Sequence, residues 1–170
     1  MALATFFRAS RDRATMIVTA FVLVAIVVAG AFLIHSAMTH PSAGGRILMA
    51  TSAMALAVFV LALTAFVPLG YEVTDEAVVI RRSIRPLRIL LSQVAEARRV
   101  ELTGVVRVFG VGGFFGSWGR FTSTQLGAFR AYITRRDNLL CLFLKDGDRV
   151  VLSPDDPDGM IAEIRGRTPL

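Results

Sequence analysis

Charge is missing from two long stretches of this 170-residue chain. No Asp, Glu, Lys or Arg lies between Arg13 and Arg46, and none lies between Arg46 and Glu72. Histidine is nearly as scarce. The two present, His35 and His40, both lie in the first of those stretches, and the chain from residue 72 onward has none. Without histidine that part lacks the commonest acid–base group and a common metal ligand, which weakens hydrolase and metalloenzyme readings. A single cysteine, Cys141, excludes an intrachain disulfide framework and fits a reducing compartment; within the run 139–144 it reads as a buried core thiol. A P-loop is absent, and Gly110 and Gly112 do not complete a dinucleotide fingerprint, because Phe115 stands where the third glycine is needed and no helix pattern follows. The Asp155, Asp156 and Asp158 group lacks EF-hand spacing. No catalytic, cofactor-binding or metal-ligating residue is therefore assigned, and the chain reads as non-enzymatic.

The uncharged stretches are apolar. Residues 16–38 and 47–69 each exceed the roughly 20 residues that cross a bilayer as a helix, and 54% of the chain is hydrophobic. The first stretch is too long for the apolar core of a signal peptide, and its exit at 35–40 is a poor cleavage site. Pro41 and Gly44-Gly45 predict a short turn in a 39–46 connection, so the two spans form an antiparallel hairpin. Ala25 with Ala29, and Ala53 with Ala57, have the spacing of small-residue helix seams. Arginine counts set the orientation: Arg8, Arg11 and Arg13 precede the first span, Arg46 lies in the connection, and Arg81, Arg82, Arg85 and Arg88 follow the second. The positive-inside rule then puts the 1–15 segment and the 70–170 domain on the cytoplasmic side of the membrane.

The net charge of +6 divides evenly, +3 before residue 70 (four Arg, one Asp) and +3 after it (15 Lys/Arg, 12 Asp/Glu). That balance speaks against nucleic acid as a partner.

From Tyr71 the pattern turns to short β-like runs: 77–82, 87–91, 94–102, 105–109, 128–134, 139–144 and 149–152. Asp146-Gly147 between the last two is a hairpin signal. Asp156 as N-cap and Pro157 at the first helical position open a C-terminal helix with Met160, Ile161 and Ile164 on one face and Gly166 at its stop. The fold class is an α+β membrane protein: an N-terminal transmembrane hairpin, then an all-β barrel or sandwich closed by one helix.

Three segments carry a resemblance: YEVTDEAVVIRR, RVFGVGGFFGSWGRF and AFRAYITRRDNLLCLFLKDGDRVVLSPDDPDGMIAEI. They resemble the bacterial PH-like (pleckstrin-homology-like) domain family over about residues 71–165, most specifically at 109–121 and in SPDDP. The resemblance implies a PH-like fold of about seven antiparallel strands and an interaction role rather than a reaction. Members of that family commonly follow transmembrane helices.

Two surfaces are candidates for interaction. The Gly- and aromatic-rich stretch 104–121, with Phe114, Phe115 and Trp118, reads either as a bulged strand or long hairpin whose aromatics pack, or as an apolar loop that meets the bilayer interface or a partner. Arg81, Arg82, Arg85 and Arg88 read either as topology signals on a solvated strand or as a site for anionic lipid headgroups. The leading expectation is a membrane-tethered scaffold with an unidentified protein partner, a homo-oligomer being compatible. The alternatives are an anionic-lipid sensor or an accessory subunit of a membrane enzyme or transporter. The last predicts ionisable residues within the spans, and there is none from Met16 to Ile34 or from Ile47 to Leu69.

Overall fold

The computed structural model describes residues 4–112 and 115–168. Its first element is a strand, β1 (Thr5–Arg8), followed at once by helix α1 (Arg13–Thr39). Asp12 starts the helix: its carboxylate accepts from the Thr15 N–H at 2.7 Å, meeting a donor that the first turn leaves unpaired. Ser42 does the same for α2 (Ala43–Ala65), accepting from the Gly45 N–H at 3.1 Å. At 27 residues, α1 is about 40 Å long, enough to cross a hydrocarbon core with a turn to spare. The second helix stops at Ala65, short of the expected limit of 69, because Pro68 has no N–H and its ring disfavours helix in the residue before it. Leu69 belongs to a strand instead.

Both helices are apolar all round. Only Thr15 and Thr19 are buried on α1 and only Ala65 on α2, while Phe21, Phe32, Phe59 and Leu61 are each at least 60% exposed. The helices pack on each other. Half-buried side chains at 22, 26, 33 and 37 face those at 49, 53, 56, 60 and 63, alternating three- and four-residue steps. Ala25, Ala29 and Ala57 lie outside this seam, exposed, so the larger aliphatic side chains rather than the alanine pairs make the contact.

Two sheets follow. The first has the order β1-β2-β3-β4, with β2 Pro68–Val73, β3 Ala77–Arg82 and β4 Leu87–Leu90. Thr5–Arg8 pairs with residues 73–70 of β2. The helical hairpin is therefore an insertion between two paired strands, and the β domain is discontinuous in sequence. The second sheet has the order β5-β9-β10-β8-β7-β6, from β5 (Val94–Arg99), β6 (Val106–Gly112), β7 (Ser117–Ser123), β8 (Gly127–Ile133), β9 (Leu140–Leu144) and β10 (Arg149–Leu152). The expected seven or so antiparallel strands become ten among the described residues. One pairing, β8 with β10, is parallel. The chain leaves β8, passes the slot beside it, runs up β9, and returns through the tight Asp146-Gly147 turn to fill that slot. Gly147, at φ +89°, supplies the left-handed backbone this turn needs.

The main core lies between the sheets. Tyr71, Val73, Val78, Ile80 and Ile89 meet Leu140, Leu142, Val150 and Leu152, and helix α3 (Pro157–Arg167) closes one end with Met160, Ile161 and Ile164. Alternation along the second sheet leaves a smaller cluster, Phe121, Phe129, Ala131, Cys141 and Val151, on its outer face. Burial pushes the Cys141 thiol up to about 12, as an inert core residue requires. β5 and β6 are opposite edges of this sheet, so the connection 100–105 crosses its outer face, packing Val100 and Leu102 against that second cluster.

Candidate functional site

Four parts of the β domain converge on the start of α1 and the end of α2. The first is the corner after β8. Its Arg136 backbone N–H donates to the second carboxylate oxygen of Asp12 at 3.1 Å, so the residue that caps α1 is held by the domain. Burial alone would raise the Asp12 carboxyl. The hydrogen bonds from Thr15 and Arg136 and the Arg136 charge outweigh it and hold Asp12 below the usual carboxylate range. Thr134 donates from its hydroxyl to the Ser10 carbonyl at 2.8 Å, and the Asp155 N–H donates to the Arg8 carbonyl at 3.0 Å. Asp155 also accepts from the Ser10 N–H at 3.0 Å and pairs with Arg135 at 3.3 Å.

Beneath this seam lies a buried polar relay. The Tyr71 hydroxyl donates to the Tyr132 carbonyl at 2.7 Å and accepts from the Ser153 N–H at 3.1 Å, while Ser153 Oγ accepts from the Thr134 N–H at 2.8 Å. Burial pushes the Tyr71 phenol up to about 12 despite the Ser153 bonds. The relay is structural: it satisfies polar groups at a strand end that the core would otherwise strand without partners.

The second part is the β3–β4 turn, where the Ile84 N–H donates to the carbonyl of Ala65, the last residue of α2, at 3.2 Å. The third is the β6–β7 hairpin. The Phe115 N–H donates to Thr19 Oγ1 at 2.9 Å, about nine ångströms along α1 from its start. The fourth is the strand end at Tyr132, described next with the aromatic groups.

These contacts show where each predicted residue sits. Trp118 stacks obliquely on Phe66, with ring centroids 5.3 Å apart. Phe115 lies under the Arg11 guanidinium at 5.0 Å. Phe114 lies outside the described residues. The aromatic stretch forms the β6–β7 hairpin, with a bulge between Arg107 and Phe109. Gly110 and Gly119 face each other across it, and a Cβ on either would come within 2.3 Å of a backbone carbonyl oxygen. The glycines therefore serve close strand approach.

The arginines are not brought to one point. Arg81 pairs with Glu72 at 2.6 Å. Arg82 lies over the rings of Phe66 and Tyr132, at 5.9 and 5.7 Å, and donates to the Arg85 carbonyl. Arg85 occupies the turn at φ +50°, and Arg88 is exposed on β4 opposite Val79. Arg82 and Arg85 thus sit at the helix base, while Arg81 and Arg88 belong to the strand ladder.

Sequence reasoning missed Phe66, Arg11, Thr19 and Arg136. Only Thr19, a hydroxyl inside an apolar run, carries a local signal; the others become partners through contacts between separate elements. The β6 edge is a further feature. Among the described residues it has no strand partner on its outer side, and Val106, Val108 and Phe109 on it are at least 60% exposed. Among the described residues no group of three or more His, Cys, Asp or Glu is placed to hold a metal.

A family profile described as bacterial PH domain matches residues 69–168. Neither the curated proteins nor the solved structures contain a match to this chain. The profile covers more than half of the sequence and coincides with two packed sheets capped by a C-terminal helix, and the chain belongs to the bacterial PH domain family.

Proposed function

We propose that the protein is a non-enzymatic, membrane-anchored interaction module. In this reading α1 and α2 cross a bacterial inner membrane as a hairpin, residues 39–46 face outward, and the domain of residues 70–170, with the N-terminal segment 1–15, lies on the cytoplasmic side. The observation that carries it is the docking of the domain on both helix bases: Asp12, Thr19 and Ala65 are each hydrogen bonded to a different β corner. A flexible tether would only raise local concentration. Three separate bonds hold the domain in one orientation against the membrane surface, as a scaffold needs. The exposed helix faces support burial in lipid, since among the described residues no other element covers them. Arg8, Arg11 and Arg13 at one helix base and Arg82 and Arg85 at the other, against Arg46 at the far turn, support the orientation.

Reporter fusions at residue 42 and at the C-terminus test the topology. A C-terminal fusion active only outside the cytoplasm overturns it. The surface offered to a protein partner is the β6 edge, open to pairing with a partner's strand. In-cell photocrosslinking from positions 108 and 109 of the full chain is expected to capture a protein. Capture of lipid alone favours the sensor reading instead, which Arg11, Arg82 and Arg85 at the helix bases support. For that reading the full chain in nanodiscs is compared with the Arg81, Arg82, Arg85 and Arg88→Gln variant; equal recruitment of anionic lipid by both ends it.

A further inference from the structure

The second sheet carries a cleft of about 510 Å³ on its outer face, within the usual size of ligand sites. Its floor is Phe121, Phe129 and Ile133, and Leu102 and Val105 of the crossing connection roof one side. The connection runs from the β5 end beside Leu139 to the β6 start opposite Thr122, so it covers the sheet only diagonally. The part left open is bounded by the ends of β6, β7 and β8 that lie nearest the helices. There the lining changes from apolar to cationic, with Arg136 and with the guanidinium of Arg107, which reaches from the start of β6 to the level of Gly112.

Position gives this cleft its meaning. The Arg136 N–H is bonded to the cap of α1, and the β6–β7 hairpin, whose residues Gly112 and Ser117 line the cleft, is bonded to Thr19 within α1. The open end therefore faces the plane where α1 enters the bilayer. Neither Arg107 nor Arg136 is within ion-pair distance of a carboxylate among the described residues, whereas Arg81, Arg99, Arg130, Arg135 and Arg167 all are. Asp12 feels the Arg136 charge, but its two oxygens already accept from the N–H groups of Thr15 and Arg136. An apolar trough that ends in two unpaired cations at a membrane surface matches one chemistry, an acyl chain joined to an anionic headgroup.

We propose that this cleft binds an anionic phospholipid drawn from the adjoining leaflet, its chain on Phe121, Phe129 and Ile133 and its phosphate between Arg107 and Arg136. The site is separate from the Arg81–Arg88 ladder and lies on the opposite sheet. It rests on the reading that α1 and α2 cross the bilayer.

The test uses the full chain in phosphatidylcholine nanodiscs doped with a phosphatidylglycerol that carries a diazirine midway along one acyl chain, or with phosphatidylcholine bearing the same group. Cross-linked peptides are mapped by mass spectrometry. The phosphatidylglycerol probe is expected to label residues 121–133, and the phosphatidylcholine probe to label only α1 and α2. The Arg107→Gln/Arg136→Gln variant should lose cleft labelling by roughly thirtyfold, the loss expected for two arginines beside an anionic headgroup. Lysine at both positions should restore most of it. A Cβ at Gly112 would stand 3.8 Å from Arg107 Nη1 and Ser117 Oγ, without a clash, so Gly112→Leu should fill the mouth and remove cleft labelling without unfolding the chain. Cleft labelling that is absent, equal from the two probes, or unchanged in the double Gln variant overturns the proposal while helix labelling continues. Loss of helix labelling in wild type overturns the membrane reading, and this one with it.

Discussion

Asp12 does two jobs with one carboxylate: one oxygen caps α1 and the other accepts from the Arg136 N–H. Asp12→Ala removes both bonds. It should lower stability by about 1 kcal/mol for the cap, plus the loss of the seam, read as a lower melting temperature of the full chain in detergent. Asp12→Asn keeps the capping acceptor and should lose less. The acid response follows from the same contacts. Asp12, Asp155 and Asp137, which pairs with Arg135 at 2.7 Å, are all held below the ordinary carboxylate value of 3.8. Groups depressed in the folded state contribute stability above that value and lose it as pH falls through the lower folded-state one. The seam should therefore be intact at neutral pH and weaken only below about pH 4, which melting curves between neutral and strongly acid pH would show. A midpoint that already falls between pH 7 and 5 contradicts this. Trp118 offers a second residue-scale test. Its indole N–H is buried without a hydrogen-bond partner among the described residues, while its ring stacks on Phe66. Trp118→Phe keeps an aromatic ring and removes the unpaired donor, so it should be nearly neutral. Trp118→Ser loses the stack and should destabilise by about 2 kcal/mol or more.

At the scale of elements, two glycines that look alike in sequence behave oppositely. Gly110 in β6 has φ +124° and lies against the backbone of β7, where a Cβ would be 2.2 Å from the Trp118 carbonyl oxygen. Gly110→Val should separate the hairpin and lower stability by roughly 1–3 kcal/mol, reducing protection of the β6 and β7 amides from hydrogen exchange. Gly166 was expected to stop α3, but the helix continues to Arg167 and open space surrounds the glycine. There Gly166→Ala should stabilise by about 0.5–1 kcal/mol. The helix persists past Gly166 because Arg167 ties its last turn down, bonding Glu163 and, at 2.7 Å, Asp75. Short apolar runs such as Ala77–Arg82 were legible as strands at their observed limits. Those rich in glycine or lying beside proline, β7 and β2, were not, because local pattern is weak where the partner strand decides the conformation.

The whole molecule is discontinuous in a way that affects how it can be cut. The family match begins at residue 69, yet the first sheet includes Thr5–Arg8, with Phe7 packed on the main core. A fragment of residues 70–170 leaves the β2 edge unpaired and should melt lower, and aggregate more, than one in which residues 4–12 are joined to residue 68 by a short flexible linker. Equal melting of the two fragments contradicts a structural role for β1. The same arrangement makes the helical hairpin continuous with the sheet, since the chain enters and leaves it through neighbouring strands.

Composition and order along the chain were enough for the two apolar helices, the β-rich domain after them, the closing helix and the PH-like family. Each depends on runs of neighbouring residues whose burial period or charge is visible locally. Contacts between distant segments decided the rest. Nothing in TFFR announces a strand that pairs with residues 70–73, because β pairing is set by the partner and not by the run itself. Nothing local placed Arg136 beside Asp12, or divided Arg81, Arg82, Arg85 and Arg88 between a strand ladder and a helix base. The cleft beneath residues 100–105 exists because β5 and β6 end up on opposite edges of one sheet, a fact of topology that no stretch of the sequence contains by itself.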